Sequence, residues 1–172
     1  MKLTRHLAVA STVLAIAAAA CGAYAVLSGD DRPQMAPDAA FTRLDGSRGS
    51  VAQLKGQVVL VNFWATTCST CVHEMPQVID THNRFKARGF ETLAVAMSYD
   101  PPASVIHFAE SRRLPFTVVI DNTGAVADRF GPIDGTPTTV LINKRGEIVK
   151  RYVGQPDFAA LHALVEKLLA EA

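Results

Sequence analysis

Residues 58–76 read VVLVNFWATTCSTCVHEMP. The run Val58-Val59-Leu60-Val61, continued by Phe63 and Trp64, is β-branched and aromatic, the composition of a strand buried on both faces. Ala65-Thr66-Thr67 breaks it, and helical periodicity begins at Cys68-Ser69-Thr70-Cys71. Two cysteines separated by two residues at a strand-to-helix junction point to redox chemistry. A cysteine in the first turn of a helix lies near unpaired N–H groups and the positive end of the macrodipole, which favour thiolate over thiol. Cys68 is therefore the expected nucleophile. Cys71, one turn further in, is placed to resolve a mixed disulfide by attacking Cys68.

Glu74 falls three residues after Cys71, on the same helical face. That stripe runs on through Met75, Val78, Ile79, His82 and Phe85 and so faces the sheet. An acid on an inward stripe must be paired or protonated, so its pKa should be raised, and it becomes a candidate proton carrier for Cys71. The plainer alternative is a carboxylate that stabilises the helix start. A structural zinc site would need four ligands, and no second CxxC or H-x₃₋₅-H follows. His73 and His82 are too far apart for that pattern, and a purely structural disulfide closing so short a loop would add little stability. His73 should point away from the inward stripe, His82 should be a core or rim residue, and His107 and His162 lie on helices with apolar neighbours.

Around this centre the chain reads as one domain. Lys2 and Arg5 precede an uncharged run of 21 residues from Leu7 to Leu27. That run is long enough to span a bilayer with the basic end inside. Residues 1–27 are thus expected to be a signal anchor. A cleavable signal peptide is the rival, because Ala23-Tyr24-Ala25 is an A-x-A pattern. Cys21 follows Ala18-Ala19-Ala20, a weak lipoprotein-like context without the usual leucine. Residues 28–40, with Pro33, Pro37 and several charges, read as a linker, and 41–172 as the globular domain. Without Lys2 and Arg5 there remain 15 basic and 16 acidic residues, which does not suggest nucleic acid.

Within the domain, 41–44 alternates as a short strand turned by Asp45-Gly46. Residues 92–98 and 116–120 are core strands, with a helix starting at Pro102 between them and a short one ending near Phe130. Residues 138–142 and 147–153 form a hairpin around Asn143-Lys144-Arg145-Gly146, and Asp157 caps a last helix with a stripe of Phe158, Leu161, Leu164, Val165 and Leu168. Strands alternating with helices indicate an α/β sheet. Pro137, between Thr136 and the strand it precedes, cannot be a central ladder donor and belongs at the strand start.

Phe63-Trp64-Ala65-Thr66-Thr67-Cys68-Ser69-Thr70-Cys71, Glu74-Met75-Pro76 and Gly135-Thr136-Pro137 together resemble the thioredoxin superfamily, and within it the TlpA/ResA-like membrane-anchored thiol–disulfide oxidoreductases. The similarity runs from about Phe41 to the C-terminus. It implies a thioredoxin-like fold: a central mixed β-sheet flanked by helices, with an extra N-terminal strand region and a βα insertion. It also implies a cis-proline loop at Thr136-Pro137 facing the cysteines, with Trp64, Thr67, Thr136 and Pro137 meeting the substrate, and Glu74 in the acid position of the ResA-like branch. If Thr136–Pro137 is cis, backbone at Thr136 is exposed to pair with a partner peptide as an added strand. The proline also implies that no metal is captured between the thiols. Two departures stand out: Thr67 replaces an aromatic common before the first cysteine, and Asn62 stands where cytoplasmic thioredoxins have a buried Asp.

The expected function is thus a disulfide reductase acting on extracytoplasmic proteins, of the cytochrome c maturation or copper-site assembly type. It would be held at the bacterial inner membrane, recharged by a membrane electron donor of the disulfide-reductase type, and would use no cofactor beyond its own Cys68–Cys71 disulfide. Ser69-Thr70 supplies no cation to stabilise the thiolate, which favours reduction over oxidation. A peroxidase of the same fold would need a threonine three residues before the catalytic cysteine, where Ala65 sits. A copper carrier, faintly suggested by Asp100-Pro101, would need a three-residue cysteine spacing and a distal histidine, for which His107 is the candidate.

Overall fold

The structure is a computed structural model that describes residues 33–171. The expected leader, the A-x-A pattern and Cys21 lie outside the described residues. Among those described, no helix is long and apolar enough to cross a membrane.

A five-stranded sheet forms the centre, in the order β5-β4-β3-β6-β7. Its strands are β3 (Val58–Trp64), β4 (Phe90–Ala96), β5 (Thr117–Ile120), β6 (Thr138–Ile142) and β7 (Ile148–Val153). β3 is parallel to β4, and β4 to β5, whereas β6 runs antiparallel to both β3 and β7. Every residue of β3 is buried, as expected of a central strand covered on both faces. A separate antiparallel pair, β1 (Ala40–Thr42) and β2 (Arg48–Ser50), supplies the extra N-terminal strands. Phe41 lies opposite Gly49, and a Cβ at Gly49 would stand 2.7 Å from the Phe41 ring, so only glycine leaves room for it.

The period-two alternation of β3 sorts its side chains between two cores. Val58, Leu60 and Trp64 face α1 (Ser69–Phe85), α2 (Pro102–Arg112) and the C-terminal helix. Val59, Val61 and Phe63 face Phe41, Val51 and α3 (Ala125–Arg129). The C-terminal helix, α4 (Phe158–Ala170), is capped by Asp157, whose carboxylate accepts the N–H groups of Ala159 and Ala160. α1 ends in a 3₁₀ turn, Lys86–Arg88, closed by Gly89 in the left-handed region at φ 89°. Asn62 falls on the helix-facing side of β3, between Leu60 and Trp64, where an unpaired amide would be costly.

Residues 33–40, within the stretch expected as a linker, make backbone contacts with the sheet and with β2. The Ile148 N–H donates to the Gln34 carbonyl, the Ala36 N–H donates to the Gly146 carbonyl, and Met35 bridges Glu147. Ala39 is buried. The edge of β7 offers unpaired backbone groups, and this proline-containing stretch takes them up, so the chain is tied to the sheet from Gln34 onward.

The topology brings three loops to one end of the sheet. Phe63 pairs with Thr138 and Trp64 with Ala96, so the segments leaving β3 and β4 and the segment entering β6 meet there.

Candidate active site

Cys68 is the N-cap of α1, and Cys71 sits inside its first turn. The two are joined as a disulfide with Cα atoms 5.3 Å apart. Cys71 is fully buried and Cys68 half-buried, so an incoming disulfide meets Cys68 first. The Cys71 N–H donates to Cys68 Sγ at 3.2 Å, the contact of an N-cap acceptor. In the reduced protein the same N–H and the helix dipole stabilise negative charge on that sulfur.

Facing the disulfide is the cis peptide Thr136–Pro137. The Thr136 carbonyl oxygen lies 3.4 Å from Cys68 Sγ, and Thr138 Oγ1 donates to the Gly135 carbonyl at 2.6 Å, bracing the loop. The Thr136 N–H has no acceptor among the described residues. Pro137 is buried and Thr136 half-buried; Thr67, beside Cys68, is exposed.

Trp64, expected at the substrate surface, lies elsewhere. It is fully buried, with its ring centroid 5.1 Å from that of Phe108 on α2. Alternation along β3 sends it into the helix-facing core, where no partner can touch it. It shares that core with Cys71.

Glu74 follows Cys71 by three residues on the same buried face of α1 and is 1% exposed. Asn62 Nδ2 donates to Glu74 Oε1 at 3.1 Å and to Thr139 Oγ1 at 3.0 Å. Glu74 Oε2 and Asn62 Oδ1 have no partner among the described residues. Burial pushes the Glu74 carboxyl up to about 7, and the Asn62 amide, which favours the ionised form, only partly offsets it. A carboxyl titrating there can both accept and return a proton near neutral pH.

Two residues of this end have a place that the sequence reading does not give them: Asp100, read there only as a faint copper-carrier hint, and Tyr99. Asp100 is buried, and its carboxylate accepts the Thr66 N–H and the Thr66 hydroxyl, each at 2.6 Å, fixing the loop that leads into Cys68. The hydroxyl of its neighbour Tyr99 lies 3.1 Å from Thr136 Oγ1. Residues 97–101 therefore hold both loops that flank the disulfide. The sequence signal for Asp100 was an acid at the end of an apolar strand.

The histidines stand apart from this cluster. His73 and His107 are exposed. His82 is buried against Thr92 Oγ1 at 3.3 Å, and His162 Nε2 meets Thr81 Oγ1 at 2.8 Å. Among the described residues no group of three or more His, Cys, Asp or Glu side chains is placed to hold a metal ion.

A family model described as Redoxin matches residues 29–165. The thiol-disulfide oxidoreductase ResA of Halalkalibacterium halodurans is 36% identical over 129 residues, covering 75% of this chain and 72% of that protein. The solution structure of a Neisseria meningitidis protein described as a thioredoxin superposes with a TM-score of 0.75 at 42% identity, covering 82% of this chain and 93% of that one. A thiol:disulfide interchange protein of the thioredoxin family from Chlorobium tepidum gives a TM-score of 0.74 at 27% identity, over 83% of this chain and 100% of the other.

Proposed function

The chain belongs to the redoxin family, as a ResA-like thiol–disulfide oxidoreductase of the thioredoxin superfamily, and on that premise we propose that it reduces disulfides of proteins outside the cytoplasm. The observation that carries this reading is the half-buried Cys68 sulfur, capped by the Cys71 N–H and facing the Thr136 backbone, with a buried, partly unpaired Glu74 on the same helix.

In the reduced protein the Cys68 thiolate attacks one sulfur of a substrate disulfide. That bond breaks, the departing sulfur takes up a proton, and a mixed disulfide joins Cys68 to the substrate. The Thr136 N–H and carbonyl can hold the substrate chain as an added strand beside the sulfurs. Glu74, ionised at this stage, takes the proton from the Cys71 thiol. The Cys71 thiolate then attacks Cys68 Sγ, the mixed disulfide breaks, and the second substrate sulfur leaves. Two electrons pass to the substrate, and the Cys68–Cys71 disulfide remains. No cofactor is needed for this exchange. A membrane-borne dithiol donor of the disulfide-reductase type restores the thiols.

No cationic side chain approaches Cys68 among the described contacts; Ser69, Thr70 and Thr67 surround it. A thiolate without such support is a reductant rather than a strong oxidant. The basic start and uncharged run of residues 1–27 support an extracytoplasmic location at the inner membrane. The substrates are then proteins whose cysteine pairs must be open to receive haem or copper.

Cys71→Ser, expressed in its native compartment, tests this reading. It is expected to abolish turnover and to accumulate mixed disulfides through Cys68 with extracytoplasmic proteins carrying paired cysteines. Full turnover by the variant, or trapped partners confined to the cytoplasm, would overturn it.

A further inference from the structure

Six large apolar side chains are exposed among the described residues, and Tyr99, at 60%, is the one hydrogen-bonded to the loop that faces the disulfide. Its backbone is held as well. The Asp100 N–H donates to the Met97 carbonyl at 2.9 Å, and the Asp100 carboxylate is anchored on Thr66. With its hydroxyl on Thr136 and its neighbour fixed, Tyr99 has little freedom left to lose, the condition under which an exposed aromatic ring makes an efficient contact. The residues bordering the sulfurs, Thr66, Thr67, Ser69, Thr70, Thr136 and Pro137, carry no charge. Tyr99 is the exposed aromatic side chain tethered to that rim, and the exposed Val153, paired with Thr138, adds apolar surface on the β7 side.

We propose that Tyr99 is a specificity-determining residue, whose ring receives an apolar or aromatic side chain next to the substrate cysteine while the substrate backbone pairs with Thr136. The inference rests on the reductase reading above and names the kind of polypeptide that reading leaves open. The geometry explains why the ring sits on this loop. A segment extended along Thr136 sends alternate side chains to opposite sides, and one set falls toward the residue tethered to the Thr136 hydroxyl. Truncating Tyr99 should weaken recognition of a polypeptide and matter far less for a small disulfide, which does not reach the ring.

The test uses the reduced full-length protein and three mixed-disulfide peptides identical except for phenylalanine, glycine or lysine beside the cysteine. Hydroxyethyl disulfide serves as the small probe. In each reaction the protein dithiol supplies two electrons and becomes the Cys68–Cys71 disulfide, and the probe yields two thiols. For the native protein the phenylalanine peptide is expected to react about tenfold faster than the glycine peptide, the scale of one aromatic anchor. Tyr99→Ala should erase that preference and lower the ratio of peptide to small-probe rates by the same factor. Tyr99→Phe, which keeps the ring and loses the tether, should retain most of it. Equal slowing of all probes by Tyr99→Ala would make Tyr99 only a brace for Thr136 and overturn the proposal. So would an unchanged peptide preference, or an equal advantage for the lysine peptide. A native protein inert toward every probe would bring down the reductase reading and this inference with it.

Discussion

In its last turns α1 buries Thr81 and His82, and both are matched: Thr81 Oγ1 donates to the Gln77 carbonyl and meets His162, and His82 meets Thr92. In its second turn the same helix buries Glu74, which has Asn62 on one carboxyl oxygen and nothing among the described residues on the other. Burial also acts differently on the two sets. It lowers the pKa of His82 and His162, and it raises that of Glu74 to about 7. The matched end has the economy of a core, where buried polar groups are satisfied as a rule. The unmatched end, next to Cys71, keeps a carboxyl with spare capacity for a proton. The difference separates polar groups that hold the helix in place from one whose free oxygen the proposed exchange would use.

Glu74→Gln attacks the contrast most directly. Disulfide reduction should slow by about 10²–10⁴-fold and lose the inflection near pH 7. Stability should move the other way. Because the folded carboxyl binds its proton more tightly than the unfolded one, the native protein loses stability as pH rises from the unfolded value to about 7, and nothing further above it. The variant escapes that loss, so denaturant unfolding of the oxidised protein should show it about 2–3 kcal/mol more stable than native at pH 8 and nearly equal at pH 4. A stability difference independent of pH would mean that Glu74 is matched after all.

Asp100→Ala removes a buried acceptor with two short hydrogen bonds, leaving the Thr66 N–H without its partner. It should cost about 2–3 kcal/mol in the unfolding free energy, the range for hydrogen bonds to a charged group. A loss below ~0.5 kcal/mol, typical of surface positions, would remove the clamp from the account. Thr81→Val, at the matched end, should cost about 1 kcal/mol and leave the rate of thiol exchange unchanged. Slower exchange in that variant would show that the two ends of α1 are coupled and blur the distinction.

Much of the active end was legible in the order of residues. The switch from an apolar run to helical spacing at Cys68 is local, and so is the three-residue step from Cys71 to Glu74. Asp157, expected to cap the last helix, does so through two N–H groups. What local pattern could not supply is depth and distant pairing. Trp64 stands four residues from Cys68, yet the alternation of β3 turns it inward against Phe108. Asp100 and Tyr99 act on Thr66 and Thr136 across 34 and 37 residues, which the crossover through β4 brings together. Gln34 and Ala36 lie in a stretch of linker composition, and their backbone partners, Ile148 and Gly146, stand more than 100 residues later.

That edge attachment has a mechanical side. Gln34 and Ala36 are fastened beside Gly146 and Ile148, at the turn between β6 and β7, whereas Pro137 and the sulfurs lie where β6 begins. The five residues of β6 span roughly 17 Å at about 3.3 Å each, and the fastening and the sulfurs stand at opposite ends of that length. A pull applied at Gln34 would enter the domain at the turn between β6 and β7, through backbone hydrogen bonds to Gly146 and Ile148, and would leave the reactive end unloaded.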